Sequence, residues 1–143
     1  MKVRVKRFDK DIPLPVKKTD GAAGWDLCCR EEIKVAPGKV GYFKLNVAME
    51  IPGGFWGMLA ARSSIHKLGL MPVNGFGIMD SDYCGDNDEW ILAGLNFTDK
   101  EIVIEKGTRV AQMMILKHEK FEFEEVDKLG NKDRGKFGTT GVK

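Results

Sequence analysis

The sequence contains few cysteines, and their spacing favours neither a disulfide framework nor a zinc site. Cys28 and Cys29 are adjacent and Cys84 stands far from both, so the odd count is a poor basis for disulfides. No pair has the Cys-x-x-Cys spacing that is typical of zinc ligands. We therefore expect reduced thiols and a cytoplasmic location.

Long apolar runs and a strong charge of one sign are also missing. No run approaches the ~20 apolar residues that a membrane helix requires, and the charged segment 1–7 lacks the apolar core of a signal peptide. The 23 basic and 21 acidic residues give a formal net charge of +2. This balance favours neither a nucleic-acid partner nor a membrane partner, so an anionic ligand must be met by a few placed cations.

The dominant pattern is an alternation of apolar and polar residues with a period of two. It occurs at 3–6, 47–51, 102–104, 110–116 and 121–124, and glycine- or proline-containing turns separate the runs. Many short strands predict an all-β sandwich or barrel, with a strand buried on both faces at 110–116.

One segment, 63–69, predicts a helix. It begins with serines that are N-cap candidates and ends at Gly69, which allows barely two turns. The length of 143 residues is that of one domain. We place this domain at 1–130. The following segment, 131–143, lacks apolar periodicity, and we expect it to be a flexible C-terminal arm.

The first candidate site is the sequence around Arg62, Ser63 and Ser64. A helix that begins at Ser63 would present free backbone N–H groups and its positive dipole end, and Arg62 would add a bidentate cation beside them. Together these groups form a phosphate site. The alternative is an ordinary capped helix with a surface arginine.

The second candidate is the acidic segment 77–90. It fails the calcium-loop pattern, because Cys84 and Ile91 occupy the fifth and twelfth positions when the loop starts at Asp80. The remaining interpretation is an apolar strand that ends in a turn at Asp80, where a carboxylate can act as a general base or bind a metal. The alternative is an acidic surface hairpin.

Two further segments carry candidate ligand groups. Gln112 falls in register with apolar neighbours in the predicted buried strand, and its amide must find partners in the core or on a ligand. The glycine-rich tail adds cationic, aromatic and hydroxyl groups at Arg134, Phe137, Thr139 and Thr140, which can surround an anion. The alternative for the tail is disorder.

In their order along the chain, five segments resemble the five motifs of the trimeric dUTPase family. They are AGWDL at 23–27, ARSS at 61–64, the segment 74–85 centred on GIMDSDY, GTRVAQ at 107–112, and RGKFGTTG at 134–141. Each motif is weak by itself, but five in a fixed order over nearly the whole chain are a specific pattern.

The resemblance implies a fold, an assembly and a reaction. The fold is a distorted jelly-roll β-barrel or sandwich with one short helix. The assembly is a homotrimer whose active sites lie at subunit interfaces, each completed by the C-terminal arm of another subunit. The reaction is hydrolysis of dUTP to dUMP and pyrophosphate, with Mg²⁺ on the triphosphate.

The resemblance also implies roles for the catalytic and metal-binding positions. Asp80 would deprotonate the water that attacks the α-phosphorus in line, and Asp26 would face the water shell of Mg²⁺. Arg109 would either touch the substrate or support Asp80.

By the same resemblance, the remaining positions bind the substrate. The phosphates near the scissile bond would contact Ser63 and Gln112, with Arg62 and Ser64 close by. Tyr83 would lie against the deoxyribose and leave no room for a 2′-hydroxyl. The uracil edge would be read by Asn74 and the backbone of Gly77, Ile78 and Met79. The arm would supply Arg134, Phe137, Gly138, Thr139 and Thr140, with Phe137 over the uracil.

The chain departs from the common family pattern at three places. The fifth motif is two residues shorter, Cys84 stands where arginine is frequent, and the loop 86–90 is longer. Because acidic groups repel a triphosphate, we expect the side chains of this loop to point away or bind a metal. Two alternatives remain: a dUTPase-like, nucleotide-responsive regulator and, less favoured, a dCTP deaminase-like enzyme.

Overall fold

A computed structural model of the chain describes residues 1–135, and in this range the protein consists of β-strands and one 3-10 helix, Ile65–Leu68. The strands are β1 (Arg4–Arg7), β2 (Trp25–Cys28), β3 (Ile33–Val35), β4 (Val40–Lys44), β5 (Val47–Glu50), β6 (Phe55–Ala61), β7 (Leu70–Pro72), β8 (Phe76–Met79), β9 (Ile91–Asn96), β10 (Ile102–Ile104) and β11 (Arg109–Lys117). The predicted all-β class is confirmed.

The strands form antiparallel sheets in a jelly-roll-like arrangement. The largest sheet has the order β2-β11-β6-β8, a second has the order β4-β9-β7, and two pairs join β1 to β5 and β3 to β10. The largest sheet ends at β2 and β8, so the sheets do not close into a barrel. The predicted jelly-roll-like β fold is confirmed, and of the barrel and sandwich forms that the prediction left open, the closed barrel is not the one found within residues 1–135.

The core lies between the sheets and is filled by large apolar side chains. Phe43, Leu59 and Trp90 have less than 3% of their surface exposed, and burial of each side chain stabilises the fold by roughly 1.5–3 kcal/mol. Strand β11 runs through the middle of the largest sheet, between β2 and β6. Its consecutive buried residues Val110 and Ala111 follow from an irregular register beside Arg109, which interrupts the alternation of faces.

The predicted helix is shorter than expected. It is one 3-10 turn that begins after Ser64, which makes no side-chain capping bond, and it ends as predicted at Gly69, whose φ is 75°. Ile65, the one buried residue of the turn, packs in the core. The N–H groups of a full α-helix start are therefore not assembled at Ser63.

The alternating segment 121–124 forms no strand, although its pattern predicts one. Phe121 and Phe123 are 73% and 92% exposed, and the whole segment 118–135 is exposed coil after β11. A strand requires a partner that accepts and donates its backbone hydrogen bonds. No strand within 1–135 pairs with this segment.

Two smaller sequence expectations can be compared with the structure. The cysteines are free thiols, and burial raises the pKa of both Cys28 and Cys29, so these two groups remain protonated at neutral pH. Within residues 1–135, the structure contains no helix with the length and apolar character needed to cross a membrane.

Candidate active site

Three adjacent strands bring two arginines onto one carboxylate. Asp26 lies on β2, Arg109 at the start of β11, and Arg62 directly after β6. Arg62 Nε lies 3.1 Å from Asp26 Oδ1, and Arg109 Nη1 lies 2.7 Å from Asp26 Oδ2. Only 13% of the Asp26 side chain is exposed. Two cations around one anion leave a net positive charge, which favours an anionic ligand.

Gln112 extends this cluster across the sheet. It pairs with Asp26 on one side and with Ala60 on the other, so the polar groups lie in one row. Its Nε2 donates to the carbonyl of Ala61 at 3.2 Å. A Cβ on Gly24 would lie 2.8 Å from Gln112 Oε1, so the absence of a side chain at Gly24 leaves room for this amide.

The serines follow Arg62 but do not form the predicted helix-start site. Ser63 is exposed and Ser64 is half-buried. The amide of Ile65 already donates to the carbonyl of Arg62 at 3.0 Å. With only one 3-10 turn behind the serines, positive charge in this region comes from the arginines rather than from a helix dipole.

Strand β8 carries the residues expected to contact a base. Asn74 is exposed, and Gly75, with a φ of 70°, turns the chain into β8. Gly77, Ile78 and Met79 follow on the strand. One edge of β8 pairs with β6, while no strand within 1–135 pairs with the other edge. Its backbone N–H and C=O groups are therefore available for hydrogen bonds.

Asp80 and Tyr83 lie in the turn after β8. Asp80 is exposed, and its carbonyl accepts a hydrogen bond from the amide of Tyr83 at 3.2 Å. Asp80 lines an open surface pocket together with Phe55, Trp56, Ile78 and His118. The Tyr83 hydroxyl donates to the carbonyl of Glu89 at 3.2 Å.

Within one chain, Asp80 is far from the cluster around Asp26. Gln112 pairs with Ala60, and Ala60 pairs with Phe76, which places Phe76 in the same row of the sheet. Asp80 lies four residues beyond Phe76, and β8 is three strands from β2. At about 3.4 Å per residue and about 4.8 Å per strand, the separation is on the order of 15–20 Å. The predicted residues thus form two groups.

Of the site residues predicted in the C-terminal arm, the structure describes only Arg134. Arg134 lies in the exposed coil. Phe137, Gly138, Thr139 and Thr140 lie outside the described residues.

Two contacts were missed by sequence reasoning. Arg109 binds Asp26 rather than Asp80. The side chains of the loop 86–90 were expected to point away from the triphosphate or to bind a metal, and no contact inside the protein was expected for Glu89, whose side chain is 8% exposed and pairs with Arg30 and the amide of Asn46. A single sequence gives no signal for either contact, because the partners are distant along the chain.

The described residues do not form a dedicated metal cage. Within 1–135 there is no group of three or more His, Cys, Asp or Glu side chains that could hold an ion, and both carboxylate oxygens of Asp26 already contact arginines. Mg²⁺ commonly keeps several waters and binds substrate phosphates with few protein ligands. These residues would fit a metal of that kind, for whose water shell Asp26 is the candidate partner.

Comparison with known proteins places the chain among dUTPases. The family model described as dUTPase matches residues 10–141. The deoxyuridine 5′-triphosphate nucleotidohydrolase of Hydrogenobaculum sp. is 37% identical over 147 residues and covers 100% of both chains. The corresponding Helicobacter pylori protein is 33% identical, over 99% of this chain and 98% of the relative.

Solved structures agree with the sequence comparison. The dUTPase from Streptococcus mutans has a TM-score of 0.75 and 28% identity, covering 83% of this chain and 98% of that chain. The dUTPase of Staphylococcus bacteriophage 80alpha with dUPNHPP has a TM-score of 0.85 over 99% of both chains. Its identity is 23%, so this second likeness concerns the fold alone.

Proposed function

Because the chain belongs to the dUTPase family, we propose that it is a dUTP diphosphatase, which hydrolyses dUTP to dUMP and pyrophosphate. The observation that carries this proposal is the full-length match to relatives named deoxyuridine 5′-triphosphate nucleotidohydrolase. The net positive cluster of Arg62, Arg109 and Asp26 supports it, because a triphosphate needs placed cations in a chain of nearly balanced charge. The free cysteines suit a reducing compartment such as the cytoplasm.

The proposed reaction is a single displacement at phosphorus. Asp80 accepts a proton from a water molecule, whose oxygen bonds to the α-phosphorus while the bond to the bridging oxygen of pyrophosphate breaks. A placed general base contributes roughly 10²–10⁴-fold. Most of the acceleration therefore comes from positioning and from charge stabilisation around the phosphates, to which Ser63, Ser64, Gln112 and Arg62 are suited.

Asp26, held by Arg62 and Arg109, is the residue that would face a metal ion bound to the triphosphate. Mg²⁺ there would neutralise part of the phosphate charge. The two arginines would bind phosphate oxygens beside it. The chain itself binds and orients the phosphates in this scheme.

Base and sugar recognition is assigned to the segment 74–83. The free edge of β8 can match the hydrogen-bonding edge of uracil through the backbone of Gly77, Ile78 and Met79, with the exposed amide of Asn74 nearby. Tyr83, which is 39% exposed, presents its ring to the sugar. A ring packed against C2′ of the deoxyribose leaves no space for a hydroxyl.

The active site is proposed to be shared between the subunits of a homotrimer. The distance between Asp80 and the Asp26 cluster within one chain supports this assembly, because a base at the α-phosphorus and a carboxylate facing the metal on the same triphosphate would have to lie much closer together. Exposed or half-buried apolar side chains also line a groove beside β2 and β11, including Leu14, Trp25, Met114, Ile115 and Leu116. A neighbouring subunit would cover this groove, and its arm would bring Arg134, Phe137, Gly138, Thr139 and Thr140 over the nucleotide.

The assembly can be tested without substrate. Light scattering of the purified protein is expected to give three times the 16.0 kDa mass of the chain. The groove residues should then be protected from hydrogen exchange in the assembled protein. A monomer that hydrolyses dUTP at full rate would contradict the shared site.

The reaction is tested by pyrophosphate release from dUTP, dTTP, dCTP and UTP, with Mg²⁺ and with a chelator. Release from dUTP alone, lost with the chelator, is the expected result. Release from none of them, with dUTP still bound, would favour the nucleotide-responsive regulator. Ammonia release from dCTP would favour the deaminase-like alternative.

Gly24→Ala is expected to displace the Gln112 amide, because the new methyl group would lie 2.8 Å from Gln112 Oε1 and 3.3 Å from its Cβ. Loss of one hydrogen bond to a charged phosphate should lower kcat/KM for dUTP by about tenfold or more. Steady-state kinetics and a thermal melt measure the change and check the fold. Gly21→Ala is the matched control, since nothing lies within 4 Å of its Cβ. Equal kcat/KM for both variants would mean that Gln112 does not contact the phosphates.

A further inference from the structure

Glu89 is a buried anion in the loop 86–90, in which Asp86 and Asn87 are exposed. Its carboxylate Oε1 accepts the backbone N–H of Asn46 at 3.0 Å and lies 2.9 Å from Arg30 Nε. Removing a carboxylate from water is costly unless a cation and hydrogen bonds replace the water. The loop 86–90 is therefore held at Glu89 by both kinds of contact.

The partner of Glu89 is itself fixed. Asn46 has a φ of 66°, in the left-handed region, and lies in the turn between β4 and β5. Its side chain accepts from the amide of Asp9 at 2.6 Å and donates to the carbonyl of Asp9 at 2.9 Å. On either side of Asn46, the backbone of Leu45 and Val47 bonds to Trp90, each at 2.9 Å. This turn is a rigid support for the loop.

The other end of the loop holds Tyr83. The Tyr83 hydroxyl donates to the Glu89 carbonyl at 3.2 Å. Burial raises the pKa of Tyr83, and the carboxylates of Asp88 and Glu89 raise it further, so the hydroxyl stays protonated and remains a donor. One hydrogen bond thus links the orientation of the Tyr83 ring to the buried residue Glu89.

We propose that Glu89 is a positioning residue for sugar selection, which holds the Tyr83 ring against C2′ through the carbonyl of the anchored loop. The inference rests on the proposed function, in which Tyr83 faces the deoxyribose. A ring that can tilt away leaves room for a 2′-hydroxyl, so selection requires that the ring be fixed as well as present. The contacts with Asn46 and Arg30 supply this restraint from outside the active site.

The test compares four variants with the wild-type protein. Tyr83→Phe keeps the ring and removes only the bond to Glu89, and Glu89→Ala removes the anchor. Glu89→Gln keeps an acceptor for the Asn46 amide but loses the charge that faces Arg30. The double variant combines Tyr83→Phe with Glu89→Ala.

Two matched controls accompany them. Asp86→Asn removes a neighbouring loop carboxylate that is 90% exposed, and Tyr42→Phe removes the hydroxyl of a tyrosine that is 64% exposed on β4. Neither control touches the chain of contacts between Glu89 and Tyr83.

Two readouts separate sugar selection from catalysis. Calorimetry measures the affinities for dUMP and UMP, and kinetics measure kcat and KM for dUTP and UTP. Tyr83→Phe and Glu89→Ala are each expected to reduce deoxyribose preference by about 3- to 10-fold, the worth of one hydrogen bond, while kcat for dUTP changes less. The deoxyribose preference of Glu89→Gln should lie between that of these two variants and that of the wild-type protein. The double variant should lose no more than the larger single change, because both substitutions break the same connection.

The outcomes are distinguishable from failure of the proposed function. Loss of dUMP preference in the variants supports the inference even if the wild-type protein releases no pyrophosphate. Unchanged preference in Tyr83→Phe, whose fold is intact by thermal melt, overturns it. Additive losses in the double variant also overturn it, since they would mean that Glu89 acts by another route.

Discussion

Asp80→Asn is expected to lower kcat for dUTP by about 10²–10⁴-fold while leaving the nucleotide bound. The substitution keeps the size and hydrogen-bonding capacity of the side chain but removes its ability to accept a proton from water. The turn that holds Asp80 is formed by backbone contacts, with the amide of Tyr83 donating to the carbonyl of Asp80. The fold should therefore be retained. Pyrophosphate release and calorimetric dUTP binding measure the two quantities separately.

Asp86→Asn is the control for this loss of one negative charge near the nucleotide. Asp86 lies in the loop after the same turn and pairs only weakly with Lys6 at the surface. Its substitution should leave kcat within about twofold of the wild-type value, as expected for an exposed ion pair. Equal kcat for Asp80→Asn and the wild-type protein would assign the general base to another group.

The fold class could be predicted from the sequence because strand patterning is local. The alternation of apolar residues and the glycines of the turns can be read from residues that are neighbours in the sequence. The observed strands β1, β5, β10 and β11 coincide with the predicted runs or lie close to them. The strand predicted at 121–124 is absent because a strand also needs the edge of another strand to pair with, and a local pattern does not show whether such an edge is present. The predicted helix was longer than the observed one, because its serines make no side-chain capping bond.

The site was predicted only through the order of five segments. Local sequence did not decide whether Asp80, Gln112 or Arg62 was functional, because each also has an ordinary structural explanation. The pairing of Asp26 with Arg109 joins residues that are far apart in sequence and adjacent only across β2 and β11. The inward orientation of Glu89 depends in the same way on Asn46 and Arg30, which a single sequence does not connect with it.

Asp26→Asn is expected to impair both substrate turnover and stability. The change removes the negative charge that holds Arg62 and Arg109, whose side chains are 28% and 35% exposed. Two partly buried arginines would then face each other with only a neutral amide between them. After allowance for solvent, the free energy of unfolding should fall by about 1–3 kcal/mol. Misplaced phosphate contacts should lower kcat/KM by about 10²-fold.

Glu50→Gln is the matched control, since Glu50 pairs with Arg4 at the surface, where the two side chains are 48% and 85% exposed. Little change in kcat/KM or in the free energy of unfolding is expected for this control.

Mixing Asp26→Asn and Asp80→Asn subunits then tests the shared site. If Asp80 and Asp26 serve one nucleotide from different subunits, some sites in mixed trimers contain neither substitution and activity returns. If both residues act within one chain, every site contains one substitution and activity stays low.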